Sequence, residues 1–256
     1  MARKPEPVTD PLFDVGGKTY LIAGAGGGLG GVMAEALHER GAKLVLFDTD
    51  ETALERVGEA IPDALARVAD VNNQAALAEM VQLTRDRFGN IDGAINAAGL
   101  LPMAAATTFD EAMFRECIDV NLTAAFLFSR TVAEQMQDSG GRIVHIASVS
   151  SFVANPGYAA YAGSKAGLAQ MVRVLAREWA PKNILINAIG PALTETPLTR
   201  DYLSDPGFRS GAIAAIPMGR LGEADDLIGT LLLLLSPGGG FITGQTIYVD
   251  GGRTLV

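Results

Sequence analysis

The feature that most constrains this chain is a glycine-dense turn, Ala23-Gly24-Ala25-Gly26-Gly27-Gly28-Leu29-Gly30-Gly31. It follows the apolar run Thr19–Ala23 and precedes a segment with Leu29, Val32, Met33, Ala36 and Leu37 on one helical face. A strand that enters a helix through glycines brings backbone N–H groups and the positive helix end to one point. That point suits a pyrophosphate, because no Cβ blocks a close approach. Two glycine sets can be drawn through the turn. Gly26, Gly28 and Gly31 give the literal GxGxxG spacing, but they begin late relative to the strand end. Gly24, Gly28 and Gly30 place the first glycine directly after the strand, and this set is preferred.

The same alternation continues down the chain. Strands are expected at 43–47, 66–71, 91–95, 142–147, 184–189 and 246–249. Between them fall helical patterns at 51–60, 74–88, 109–136, 158–179 and 224–235, the 109–136 pattern as one long helix. The resulting fold class is α/β: a single-domain, Rossmann-type doubly wound sheet of seven mainly parallel strands with helices on both faces. Residues 1–13 form an N-terminal extension and 14–256 the domain. The irregular stretch at about 193–216 is long for a loop and is expected to act as a substrate lid.

Composition excludes several classes of function. A formal charge of −9 disfavours binding to nucleic acid or to an anionic membrane surface. The apolar run 227–235 is too short to cross a bilayer. The N-terminus has three prolines and mixed charge instead of a signal-peptide core. A single cysteine, Cys117, rules out an intrachain disulfide, and two histidines, His38 and His145, are too few for a convincing zinc site. A cytoplasmic protein without a metal is expected.

Three further signals carry chemistry. Asp48 closes the second strand, where a carboxylate can accept both hydroxyls of an adenosine ribose and would repel a 2′-phosphate. No Arg or Lys lies in the glycine turn to balance such a phosphate, so NAD is expected over NADP. Tyr161 and Lys165 stand at i and i+4, one face of a helix. An ammonium beside a phenol favours the phenolate, which can take a proton from an alcohol as hydride leaves the carbon. Ser148 follows the 142–147 strand, at the sheet end where a site should open, with Ser150 and Ser151 as nearby competitors.

With these residues in order, nearly the whole chain resembles the classical short-chain dehydrogenase/reductase family. The family's TGxxxGxG turn stands here as Ala23-Gly24-xxx-Gly28-Leu29-Gly30, and its NNAG element as Asn96-Ala97-Ala98-Gly99. Asp70-Val71 looks like its adenine contact, and Pro191-Ala192 like the segment that usually reads PG. Thr194 and Thr196 sit where relatives contact nicotinamide, and 242–252 resembles the C-terminal signature. The resemblance implies a catalytic set of Asn121, Ser148, Tyr161 and Lys165, with Tyr161 as general base or acid and Lys165 binding the nicotinamide ribose. Ser148 would polarise the substrate oxygen, and Asn121 would hold a water that relays protons through Lys165.

The implied reaction is hydride transfer between nicotinamide C4 and a secondary alcohol or ketone, a sugar, polyol or hydroxy acid among them. Oxidation is the direction that NAD suggests. Substrate walls are expected at 100–103, 150–152, Asn155 and Tyr158. The lid adds Arg200, Asp201, Tyr202 and Arg209 beside Leu203, Phe208 and Ile213. Each of those lid charges also has an ordinary reading as solvated surface. The resemblance further implies a homotetramer, or a dimer, joined through the 109–136 and 158–179 helices. Alternatives are an NADPH-dependent ketone or 3-oxoacyl reductase and, outside enzymes, an NAD-sensing binding protein. An enoyl reductase would space its tyrosine and lysine differently.

Overall fold

The computed structural model describes residues 10–256, so positions 1–9 of the expected extension lie outside the described residues. Residues 11–13 form a single turn capped by the Asp10 carboxylate. The backbone there closes on Gly238, where an added Cβ would lie 2.9 Å from the Leu12 carbonyl oxygen.

Seven strands form one sheet: β1 (Thr19–Ala23), β2 (Lys43–Asp48), β3 (Leu65–Val68), β4 (Gly93–Asn96), β5 (Gly141–Ile146), β6 (Ile184–Pro191) and β7 (Thr246–Val249). Their order is β3-β2-β1-β4-β5-β6-β7, and every pair is parallel, where only most were expected to be. Strand order reverses between β1 and β4. A crevice opens there, beyond the carboxyl ends of the strands.

Alternate strand residues point to opposite faces. Leu21, Val45, Phe47 and Ile143 pack under α3 (Gln74–Phe88), with Phe128, Leu168 and Val172 from the helices described below. Tyr20, Ile22, Leu44 and Leu46 pack on the other face with α1 (Gly28–His38), α2 (Glu51–Ala60) and the later apolar run. Burying both faces is what makes the central strands read as nearly continuous apolar runs.

Three expectations need correction. The 109–136 pattern is α4 (Glu111–Ile118), a π-helical turn (Asp119–Thr123) and α5 (Ala124–Gln135). Here the Ala124 N–H reaches back five residues to the Asp119 carbonyl. Such π turns occur mostly as single insertions and often at functional sites. The third strand ends at Val68, so Asp70 and Val71 sit in the loop beyond it. After α6 (Ala159–Trp179) and β6, the 193–216 stretch is not irregular: it holds α7 (Arg200–Leu203) and α8 (Pro206–Ala214). Asp205 caps α8 through the Phe208 N–H, and Pro206 opens it. The apolar run becomes α9 (Ile228–Leu235).

Candidate active site

A cavity of about 910 Å³ opens along the carboxyl ends of the strands, within the usual size for a ligand pocket. The glycine turn forms its floor. Gly24 has φ +73°, and a Cβ on it would lie 2.5 Å from the Ala98 nitrogen. A Cβ on Gly30 would lie 2.0 Å from the Gly24 carbonyl oxygen. These two positions admit only glycine, a steric demand that falls on two members of the Gly24, Gly28 and Gly30 set. A Cβ on Gly28 would meet Pro197 Cδ at 2.7 Å, so the segment after β6 crosses directly over the turn. The result is a cradle of bare backbone at a helix N-terminus. It fits the diphosphate of a dinucleotide.

Asp48 lines the same cavity at the end of β2. Its Oδ2 accepts the Gly26 N–H at 2.9 Å and its Oδ1 accepts the Asp50 N–H at 3.0 Å, which fixes the carboxylate beside the cradle. Asp70, Val71, Ala97, Ala98 and Gly99 line the adjoining wall. Pro191, Ala192, Thr194 and Thr196 line the far wall, and Leu29 the floor. Thr199 holds the far segment in place: its Oγ1 donates to the Thr194 carbonyl at 2.7 Å and accepts the Thr196 N–H at 3.0 Å. Asn96 is the exception among the expected cofactor contacts. It lies buried behind the wall, its Oδ1 accepting the Ala98 N–H at 3.1 Å.

Ser148, Tyr161 and Lys165 all line the cavity. Ser148 follows β5 with an extended backbone, and its Oγ accepts the Ser150 N–H at 3.1 Å. Lys165 is buried, with its Nζ donating to the Ile146 carbonyl at 2.7 Å and standing 5.7 Å from the centre of the Tyr161 ring. Burial pushes the Tyr161 hydroxyl up to about 12, and the neighbouring Ser148 side chain acts in the opposite direction. Burial also brings the Lys165 ammonium down to about 8. The expected depression of the phenol by the ammonium is therefore outweighed: desolvation favours the neutral form of both groups.

Asn121 sits in the π turn and is buried, outside the cavity lining. Its Nδ2 donates to the Leu100 carbonyl at 2.9 Å and to Ser164 Oγ at 3.0 Å. Both amide hydrogens are thus taken by protein, so the expected water can be held only through an oxygen of this residue. Gly99 is the contact between Asn121 and the site: a Cβ on it would lie 3.2 Å from Asn121 Oδ1 and 3.4 Å from Lys165 Nζ.

Of the expected substrate wall, Leu100, Leu101, Met103, Ser150, Asn155, Tyr158 and Phe208 line the cavity. Ser151 turns away, bonded to the Tyr248 hydroxyl at 2.9 Å, and Phe152 is exposed. The lid charges do not face the cavity either. Arg209 pairs with Glu195 at 2.9 Å on the outside, and Tyr202 donates to the Leu101 carbonyl at 2.9 Å. Polar lining residues that sequence reasoning missed are Thr49, Asp50, Arg56, Asn72, Glu116, Thr199 and Arg253. Among the described residues, no three His, Cys, Asp or Glu side chains gather as a metal site. No helix among them is long and apolar enough to cross a membrane.

A cradle of bare backbone at a helix N-terminus, a fixed carboxylate beside it and Ser, Tyr and Lys side chains lining one cavity on a doubly wound sheet fit a dinucleotide-dependent oxidoreductase. Comparison with known proteins agrees. A family model described as Enoyl-(Acyl carrier protein) reductase matches residues 24–254. The 3-oxoacyl-(acyl-carrier-protein) reductase of Rickettsia prowazekii (strain Madrid E) is 33% identical over 247 residues, 96% of this chain and 100% of that one. A crystal structure of a short-chain type dehydrogenase/reductase from Mycobacterium marinum superposes with a TM-score of 0.91 at 31% identity, covering 96% of this chain and 98% of the other. A 3-ketoacyl-(acyl-carrier-protein) reductase from Brucella melitensis, crystallised with NADH, gives 0.88 at 32% identity over 94% and 99% of the two chains. The chain belongs to the short-chain dehydrogenase/reductase family. It is an oxidoreductase acting on CH–OH and keto groups.

Proposed function

We propose that this enzyme reduces a 3-oxoacyl or related ketone group to the secondary alcohol, using NADH. The observation that carries the reading is the placement of Ser148, Tyr161 and Lys165 on one wall of the cavity that also holds the glycine cradle. The nicotinamide, when bound, supplies the hydride to the carbonyl carbon. As that bond forms, the carbonyl π pair moves onto oxygen. Ser148 Oγ donates a hydrogen bond to that oxygen, and Tyr161 delivers its proton to it. Lys165 then carries positive charge next to the developing phenolate and stabilises it. The reductase names of the Rickettsia and Brucella relatives favour this direction over the oxidation first expected from NAD. The Rickettsia and Brucella relatives support the same substrate class. The four-residue Tyr161–Lys165 spacing supports ketone reduction over enoyl reduction.

NAD(H) rests on Asp48, held beside the cradle with its carboxylate in the cavity. Arg56, which also lines that end, is the feature that favours NADPH as a second reading. The test follows reduced-nicotinamide absorbance with NADH and NADPH separately, against a 3-oxoacyl thioester, simple ketones, sugars and polyols. Turnover of the thioester or ketones with NADH supports the reading. Turnover of sugars or polyols alone overturns the substrate class, and an NADPH preference overturns the cofactor.

The assembly we propose is a homotetramer in the cytoplasm. Apolar Met113, Phe114 and Phe126 on α4 and α5, Val174 on α6, and the C-terminal Leu255 and Val256 are exposed on the single chain and suit burial between copies. A net charge of −9 and one buried cysteine, Cys117, fit that compartment and argue against nucleic-acid or membrane partners. Light scattering of the purified protein tests the assembly, and a monomeric mass overturns it.

A further inference from the structure

We propose that Arg253 is a substrate-specificity residue that binds a carboxylate on the substrate, so that the preferred ketone is an acid with an apolar body. The inference rests on the proposed ketone reduction and deepens it. Arg253 follows β7 and is brought back over the cavity by two successive glycines, Gly251 at φ +58° and Gly252 at φ +91°. The turn is rigid. Asp250 accepts the Gly252 N–H at 2.9 Å and the Thr254 N–H at 2.8 Å, and its carbonyl accepts the Arg253 N–H at 3.1 Å. A guanidinium has five N–H donors. Arg253 Nη2 donates to Asn155 Oδ1 at 3.0 Å and Nη1 to the main-chain oxygen of Val256 at 3.1 Å. Among the described residues it makes no ion pair with an Asp or Glu side chain. Three donors remain for a ligand, enough for the two-pronged grip that guanidinium gives a carboxylate.

Arg253 is close to the chemistry. Asn155, its partner, also lines the cavity and accepts the Tyr158 N–H at 3.3 Å through its carbonyl. The Tyr158 ring stands edge-on to Tyr161, with centroids 6.0 Å apart. The lining aspartates Asp48, Asp50 and Asp70 lie at or just after the ends of β2 and β3, at one edge of the sheet and with Arg56 among them, whereas Arg253 follows β7 at the other edge. The part of the lining that comes from α8 and the two residues after it is apolar, with Phe208, Ala212, Ala215 and Ile216. Glu116 is the lining acid from α4, and among the described residues it forms no ion pair with Arg253, whose guanidinium has one main-chain partner, the oxygen of Val256, the last residue.

The test compares matched charged and neutral substrates by kcat/KM with NADH. One pair is 3-oxobutanoate and its methyl ester, in which the carboxylate adjoins the reacting ketone. A second pair is the N-acetylcysteamine thioester of a 3-oxo dicarboxylic acid and that of the monocarboxylic acid of equal length, in which the carboxylate is remote. The wild type prefers the charged member of one pair, and that pair identifies the source of the carboxylate. In Arg253→Gln the preference falls by about tenfold or more, while Arg253→Lys retains part of it. Melting temperature and NADH affinity verify that the variants are folded. No charged preference in the wild type, or an unchanged ratio in Arg253→Gln, overturns the inference. If no pair is reduced, the ketone-reductase reading fails instead. Calorimetric titration of the NADH complex with butanoate then decides: binding lost in Arg253→Gln upholds the carboxylate site, and equal or absent binding sinks it.

Discussion

Asn121 and Leu100 hold each other by two hydrogen bonds, as paired peptides do: the Leu100 N–H donates to Asn121 Oδ1 at 2.8 Å, and Asn121 Nδ2 donates to the Leu100 carbonyl at 2.9 Å. The π turn directs this side chain inward, and its remaining amide hydrogen meets Ser164, one residue before Lys165. The loop after β4 and the Tyr161–Lys165 face of α6 are thereby tied through one buried amide. Asn121 is thus a positioning residue, acting on the site from behind its wall.

Asn121→Ala removes these three hydrogen bonds, one buried and two part-buried. At about 1 kcal/mol each the loss is roughly 3 kcal/mol, which lowers Tm by roughly 6–12 °C in a domain of this size. Differential scanning fluorimetry reads the shift. A Tm within about 2 °C of wild type would show that the clamp adds little to stability.

Tyr161→Phe keeps the ring that packs edge-on to Tyr158 and deletes only the hydroxyl. Loss of a general acid costs about a thousandfold in kcat, while NADH binding, measured by fluorescence, stays near the wild-type value. A variant that retains turnover would remove Tyr161 from the reaction and favour the NAD-sensing alternative.

The cofactor assignment has its own test at Asp48. Asp48→Ser keeps an oxygen near the Gly26 and Asp50 N–H groups but removes the charge that would face a 2′-phosphate. The ratio of kcat/KM for NADH over NADPH is expected to fall by about a hundredfold, the scale of relieving one close like-charge contact. An unchanged ratio would move cofactor choice to Arg56 or elsewhere.

Much of this site is legible in the sequence because it rests on local steric demands. Gly24 and Gly30 are glycines because a Cβ at either would strike backbone, and Tyr161 and Lys165 share a face because a helix turns as it does. What escaped depends on tertiary context. The π turn leaves the apolar spacing of 109–136 almost unchanged, so a single continuous helix was the natural reading. Ala69 and Val71 extend the apolar pattern of β3 and are buried, yet the register with β2 ends at Val68, with the Ala69 N–H donating to the Asp48 carbonyl at 2.9 Å. The lid helices did carry a signal, since Asp205 followed by Pro206 is a cap and first-turn pair. Arg253 carried none. It lies next to the cavity only because the double glycine after the last strand folds it back.

His145 yields the last prediction, and its chemistry follows from one hydroxyl. Ser129 Oγ lies 2.7 Å from His145 Nε2 and spends its own hydrogen on the Ala125 carbonyl at 2.8 Å. The serine must therefore accept, so Nε2 carries the imidazole proton and Nδ1 is a bare lone pair. Nδ1 is buried with no partner among the described residues, and a second proton there would find no acceptor. Burial accordingly lowers His145 to about 3, with the Lys165 charge adding to the shift. In the unfolded chain the same imidazole titrates near 6.5. Between these values the unfolded state binds one more proton, so stability falls as pH drops from about 6.5 toward 3, by up to about 1.4 kcal/mol per pH unit. Urea titrations across this window measure the slope, and His145→Asn should flatten it by one proton. The rate of C2–H exchange at His145, followed by mass spectrometry, reads its charge directly. An inflection near pH 6 in the folded protein would mean that the buried ring accepts a proton at ordinary cost, contrary to the hydrogen-bond arrangement around Ser129.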